Sequence, residues 1–189
     1  MIVRDREPVC LAVGTSPDFE MLPVSLALKR YGWLREHYCF KAVPADFDAV
    51  SAECAAQENP PGYFIHVKKG ADVTLPCQAA MYLASDHLTQ AVHNIVILEE
   101  GAKLQLITGC TSKHGVQKGR HLSVEEYYIG RNARLVSTMV HAWSADVLVE
   151  PRSGVIVEEG GRYESNYIAL RAARRINSDP QIYLNGKGA

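Results

Sequence analysis

Glycine corners recur through the second two-thirds of the chain, in Lys69-Gly70-Ala71, Glu100-Gly101-Ala102, Ile129-Gly130-Arg131, Glu159-Gly160-Gly161 and Asn185-Gly186-Lys187. The glycines stand 31, 29, 30 and 26 residues apart. Between them lie short runs rich in β-branched and aliphatic residues, YFIHV, NIVIL, KLQLI, LVSTMV, GVIV and QIYL, which read as strands. A tight corner often needs positive φ, which glycine adopts without a Cβ penalty. A unit of about 30 residues holding two strands cannot bury an apolar face alone, so its repetition predicts stacked coils of a parallel β-helix or a succession of hairpins. An antiparallel sandwich with hydrophilic glycine turns fits the period as well.

The first 61 residues follow another pattern. Met21 to Tyr38 places Leu26, Leu28 and Leu34 at mostly helical spacing, with Pro23 suited to a first turn. A second helix is expected from Asp46 to Gln57, with Asp46 as its cap and Val50 and Cys54 on its apolar side. Asn59-Pro60-Pro61-Gly62 ends it. The chain is thus expected to divide into a mostly helical N-terminal segment, residues 1–61, and a β core, residues 62–189.

Composition excludes several functions. Twenty basic residues nearly cancel 21 acidic ones, leaving a net charge of −1, so there is no electrostatic reason to bind nucleic acid or an anionic membrane. No apolar run approaches the ~20 residues that span a bilayer, and MIVRDREPVC has charges where a signal peptide needs an apolar stretch. A cytoplasmic location is expected. The five cysteines, Cys10, Cys39, Cys54, Cys77 and Cys110, are odd in number and widely spaced, as reduced thiols are and a disulfide framework is not. No GxxxxGK[ST] phosphate loop, GxSxG elbow or HExxH pair is present.

Among side chains able to carry chemistry, Cys110 closes the strand-like run LQLITGC and precedes a polar loop that leads to His121. Such a thiol suits persulfide or soft-metal chemistry, although free cysteine more often serves as a small buried hydrophobe. Strand alternation puts His121, Ser123 and Glu125 on one face and Leu122, Val124 and Glu126 on the other. By the same rule Leu135, Ser137, Met139, His141 and Trp143 share a face. His87 and His93 are too far apart for a zinc motif and read as loop or strand residues; Arg171, Arg174 and Arg175 read as a solvated edge.

The stretch from His93 to Thr111, with HNIVILEEGAKL leading into ITGCT, then His121, Glu126, Asn132-Ala133 and Trp143, resembles the SufB/SufD family of the SUF iron–sulfur cluster assembly system. Val157-Glu158-Glu159-Gly160-Gly161-Arg162 and the closing Pro180 to Ala189 continue the likeness, and Tyr31-Gly32-Trp33-Leu34 and Lys41-Ala42-Val43-Pro44 resemble the lead-in of short archaeal-type members. The chain departs from the SufB-like QNW or HNW pattern with His141-Ala142-Trp143.

The resemblance implies a mainly β, right-handed parallel β-helix with a short α-containing N-terminal segment. It implies a scaffold that holds or relays sulfur and iron for a transient iron–sulfur cluster, without turnover of its own. Cys110, His121 and Glu126 are the implied cofactor-binding residues, with Cys110 at the family's sulfur-handling cysteine. The implied partners are a SufC-like ABC ATPase and a SufB/SufD-like paralogue, met through β-helix edges. The family's later coils and ATPase-binding helices would lie beyond Ala189. The competing reading is a cupin-like metal enzyme, a barrel using His114, His121 and His141 with Glu125 or Glu126, which antiparallel strands would mark. A carbohydrate-active β-helix would need acidic residues clustered on one coil face, and the sequence offers none.

Overall fold

The computed structural model describes residues 1–10 and 16–189. From Tyr63 onward the strands alternate between two sheets. β4 (Tyr63–Val67), β6 (Thr89–Leu98), β8 (Gly119–Ile129) and β10 (Val147–Glu158) run side by side and parallel in one sheet. β5 (Asp72–Leu83), β7 (Lys103–Ser112), β9 (Arg134–Ala142) and β11 (Arg162–Arg171) do the same in the other. β12 (Arg175–Ile176) and β13 (Asp179–Asn185) add to the outer side of β10. The result is the parallel β-helix that the glycine period predicts, of about four turns. Parallel neighbours throughout this stack are incompatible with the antiparallel barrel of the cupin-like alternative.

The glycine corners stack, but not in the register their spacing gives. The left-handed conformation falls on Gly70 (φ 71°), Gly101 (φ 71°), Asn132 (φ 56°), Gly160 (φ 66°) and Gly188 (φ 75°). Gly130 and Gly186 are therefore not the equivalents of Gly101 and Gly160. Strand pairing has the same period, with Asp72 beside Lys103, Lys103 beside Arg134, and Arg134 beside Arg162. Asparagine tolerates the left-handed region better than most residues, and this hides one corner from a search for glycine. Corner amides link successive coils: Gly70 N–H donates to Glu100 O and Gly101 N–H to Arg131 O, each at 2.8 Å.

Alternation decides what enters the coil. β7 sends Leu104, Leu106, Thr108, Cys110 and Ser112 inward, all buried, while Lys103 and Gln105 are exposed. β6 and β8 are buried on both faces, because the N-terminal segment covers the outer face of their sheet. There Ile95, Ile97 and Tyr128 pack with Val24, Leu28, Leu34 and Ala42, while Leu122 and Val124 pack with Val43, Val50 and Cys54.

That segment is less uniformly helical than its spacing suggests. β1 (Ile2–Arg4) lies parallel beside β5, β2 (Glu7–Cys10) pairs antiparallel with β1, and β3 (Phe19–Pro23) pairs antiparallel with β4. Met21 thus belongs to a strand, and the expected single helix is two short ones, α1 (Val24–Arg30) and α2 (Gly32–His37), broken at the extended Tyr31. Pro23 is the N-cap of α1. α3 (Ala49–Ala55) is capped by Asp48 rather than Asp46, through a capping box with Ser51. The side chain of Cys10 lies outside the described residues; Cys39, Cys54, Cys77 and Cys110 are free thiols. No helix among the described residues is long and apolar enough to cross a membrane.

Candidate functional site

Part of the coil interior is polar. Cys110 on β7 and His141 on β9 are register neighbours, and both side chains are buried. Facing them from β8 are His121, Ser123, Glu125 and Tyr127, also buried. A cavity of about 540 Å³ is lined by Glu125, Tyr127, Ser137, His141, Ser153 and Tyr167, among others. Polar groups here have few partners: Tyr63 Oη, Thr108 Oγ1 and Trp143 Nε1 are buried without a hydrogen bond. Orphaned buried polar atoms carry a desolvation cost and fit an interior that receives a polar guest.

Electrostatics keeps this interior uncharged. Burial, then the charge of His141, pulls His121 down to about 3, and burial pulls His141 down to about 4. Both imidazoles are neutral at physiological pH. His121 Nδ1 lies 2.8 Å from Gln90 Oε1, which fixes Nδ1 as the protonated nitrogen and leaves Nε2 as an acceptor. Trp143 stands between the two imidazoles, with ring centroids 4.9 Å from His121 and 5.5 Å from His141. His141 Nδ1 in turn meets Tyr167 Oη at 3.0 Å. Burial lifts the Glu125 carboxyl to about 7, although hydrogen bonds from Tyr127, Asn94 and Ser153 pull the other way. Burial and then the charge of Glu125 push the Cys110 thiol far above its ordinary value.

The structure brings two of the three expected site residues into the coil interior and places the third outside it. Cys110 and His121 point inward. Glu126 faces outward, fully buried beneath the N-terminal segment, where both its oxygens are engaged. Oε1 accepts from Lys41 N–H at 2.7 Å, Ala42 N–H at 2.8 Å, Val43 N–H at 3.3 Å and Tyr128 Oη at 3.0 Å. Oε2 accepts from Phe40 N–H at 2.7 Å and lies 2.7 Å from His93 Nε2. A carboxylate holding four successive amides anchors the backbone from Phe40 to Val43 on the sheet.

Among the described residues, no group of three or more His, Cys, Asp or Glu side chains converges well enough to hold a metal ion. The interior donors are a thiol, neutral imidazoles and one carboxyl group, softer in character than a calcium or magnesium site.

The family model described as SUF system FeS cluster assembly, SufBD core domain, matches residues 81–189. The chain belongs to the SufBD family. An iron-sulfur cluster assembly SufBD family protein of Methanothermobacter thermautotrophicus is 37% identical over 188 residues, covering 98% of this chain and 45% of the relative. One from Archaeoglobus fulgidus is 38% identical over 165 residues, covering 87% of this chain and 44% of the relative. Iron-sulfur cluster assembly protein SufB of Bacillus subtilis is 25% identical over 156 residues, covering 82% and 33%. The chain spans less than half the length of these curated relatives. The SufBD match takes in β7, β8 and β9, the strands that carry Cys110, His121 and His141.

Sequence reasoning passed over His93 and Tyr167. His93 was legible only through the strand register, since β6 and β8 pair 31 residues apart and His93 stands beside Val124, two positions along β8 from Glu126 and on the same face. Tyr167 carries no motif; it meets His141 because β11 pairs with β9, Ala169 being the partner of His141 itself.

Proposed function

We propose that this SufBD-family chain is a scaffold component of a cytoplasmic SUF-type complex, in which it holds or relays sulfur, with iron, for cluster assembly rather than turning over a substrate alone. The observation that carries this reading is the inward-facing Cys110 beside His141, in a coil interior with orphaned polar atoms, His141 in turn lining the cavity of about 540 Å³. Sulfur transfer to Cys110 requires loss of the thiol proton. Burial and the charge of Glu125 both raise the cost of that loss. The thiolate then attacks the outer sulfur of a donor persulfide; one S–S bond forms, the donor's S–S bond breaks, and the donor leaves as its thiolate. The nascent cluster is cargo in this scheme, and neutral His121 and His141 offer nitrogen lone pairs to iron. Glu126 has no part in it, because both its oxygens hold the loop from Phe40 to Val43.

A paralogous β-helix and a SufC-like ATPase are the partners this role calls for. The edge strand β11 and the neighbouring β13 expose Ile168, Leu170, Ile182 and Leu184. Unpaired edges flanked by apolar side chains favour pairing with further β structure.

Anaerobic cluster reconstitution of the chain with and without Cys110→Ser tests the reading. The expected result is loss of most of the cluster-derived visible absorbance in the variant. Equal absorbance in both removes Cys110 as a sulfur or iron site.

A further inference from the structure

His121 is tied to the N-terminal hairpin through a single side-chain amide. Asp5 lies in the turn between β1 and β2 and takes a left-handed backbone, φ 54°. Four hydrogen bonds seat that turn on the end of β5. Asp5 N–H donates to Tyr82 O at 2.7 Å; Asp5 Oδ1 accepts from Ala84 N–H at 2.7 Å and Ser85 N–H at 3.2 Å, and Oδ2 from Ser85 Oγ at 2.9 Å. The main-chain carbonyl of Asp5, fixed in this way, accepts from Nε2 of Gln90. Gln90 is fully buried on β6 and is the register partner of His121 on β8.

The series of bonds has only one consistent polarity. A backbone carbonyl accepts and cannot donate, so the NH2 end of the Gln90 amide must face Asp5. Turning the amide over would set two acceptors against each other in a buried place. Gln90 Oε1 is thereby left facing His121 Nδ1 at 2.8 Å, and an amide oxygen also only accepts. The one ring proton of the neutral imidazole must sit on Nδ1, with the lone pair on Nε2. The Gln90–His121 contact alone would permit either tautomer, since the amide could be reversed; the Asp5 carbonyl removes that freedom. His141 is not fixed in this way, because its Nδ1 meets the Tyr167 hydroxyl, which can donate or accept.

We propose that Gln90 is a positioning residue for iron: held by the Asp5 carbonyl, it keeps His121 in the Nδ1–H tautomer, so that Nε2 presents its lone pair to the iron of a nascent cluster. Imidazoles that hold metals generally donate their other ring N–H to a fixed acceptor, and loss of that acceptor typically weakens metal affinity about 10–100-fold. The β1–β2 turn thus acts on the coil interior through a backbone carbonyl. The tautomer lock rests on the hydrogen bonds alone; its use for iron rests on the reading of the coil interior proposed above.

Two measurements on the whole reduced chain separate these claims. In the first, two-bond proton–nitrogen correlation spectra of histidine-labelled chain read each ring's tautomer, the His121 signals being assigned by their loss in His121→Gln. The native chain is expected to show His121 only as Nδ1–H. Gln90→Met keeps the length of the side chain but neither bond, and is expected to bring in the Nε2–H form. Gln90→Glu, whose carboxyl group still accepts from Nδ1, is expected to keep Nδ1–H. A native chain with any Nε2–H form, which is read whether or not a variant folds, or a folded Gln90→Met chain that retains Nδ1–H alone, overturns the lock. In the second, anaerobic Fe(II) binding is measured by competition with a chromophoric chelator. Gln90→Met is expected to bind about 10–100-fold more weakly and Gln90→Glu to recover most of the loss. Native affinity in a Gln90→Met chain whose tautomer has changed overturns the use for iron. A native chain that holds Nδ1–H yet binds no Fe(II) overturns the reading of the coil interior and leaves the lock standing.

Discussion

Gly154 has no side chain at the point where the backbone of Ala42 crosses β10: a Cβ built there would lie 2.5 Å from the Ala42 carbonyl carbon and oxygen. Gly154 is the register partner of Glu126, so the residue that grips the loop and the residue that makes room for it are neighbours. Gly154→Ala is expected to destabilise the fold by about 1–3 kcal/mol through overpacking, and to speed hydrogen exchange of the amides from Phe40 to Val43. Unchanged thermal melting and exchange would show that the loop does not depend on this close approach.

Glu126→Gln keeps the volume but replaces one accepting oxygen with an NH2 group, which must face a backbone N–H or leave it unpaired. The expected cost is about 2–4 kcal/mol, since the bonds lost are charge-assisted and buried. Urea unfolding followed by circular dichroism measures it. A loss below ~1 kcal/mol would mean that the four amides find another acceptor.

Glu125 and His93 each contribute stability that falls with rising pH, while His121 and His141, lowered by burial to about 3 and about 4 from 6.5, contribute stability that rises with pH up to 6.5. Glu125, lifted by burial to about 7 from 4.5, binds its proton more tightly in the folded state. The resulting stabilisation is full below pH 4.5 and is lost as pH rises through 7. His93, held at about 9 against 6.5, contributes stability that is full below pH 6.5 and lost as pH rises through 9. Glu125→Gln should remove its own contribution to the pH dependence and make the chain more stable than the native chain at pH 7.5 by about 1–3 kcal/mol. The difference between native and variant urea midpoints from pH 4.5 to 7 decides this, and a difference that does not change with pH would remove Glu125 as its source.

At the third corner, Asn132→Gly is expected to hold or slightly raise the melting temperature. Asn132→Ala should lower it by about 2–4 °C, from a cost of about 1 kcal/mol for a non-glycine residue at φ 56°. Equal melting of the two variants would mean that the corner relaxes out of the left-handed region.

Shared faces on β8 and β9 were legible because alternation is a property of the strand itself: His121 and His141 could be assigned to faces from spacing. The glycine period passed over Asn132, which only the family resemblance marked as an Asn-Ala corner, because the conformation, not the residue type, is what repeats. The strands β1 and β3 were missed because Met21 and its neighbours satisfy a helical pattern too, and only the edges of β5 and β4 offer them hydrogen-bond partners. Glu126 had a residue type suited to ligation, and its actual partners, the amides from Phe40 to Val43, stand more than 80 residues away in sequence.

The sequence by itself determined that this chain repeats units of about 30 residues, that those units are glycine-cornered strand pairs, and that it resembles the SufB/SufD proteins, because local period and motif are carried by residues close together in the chain. Only the tertiary structure decided that strands are parallel, that Cys110 and His121 share an interior from which Glu126 is excluded, and that His93 and Glu126 meet. The physical reason is that a coil brings together residues one full turn apart, and the N-terminal segment folds back over strands formed far later in the chain; neither relation leaves a trace in local spacing.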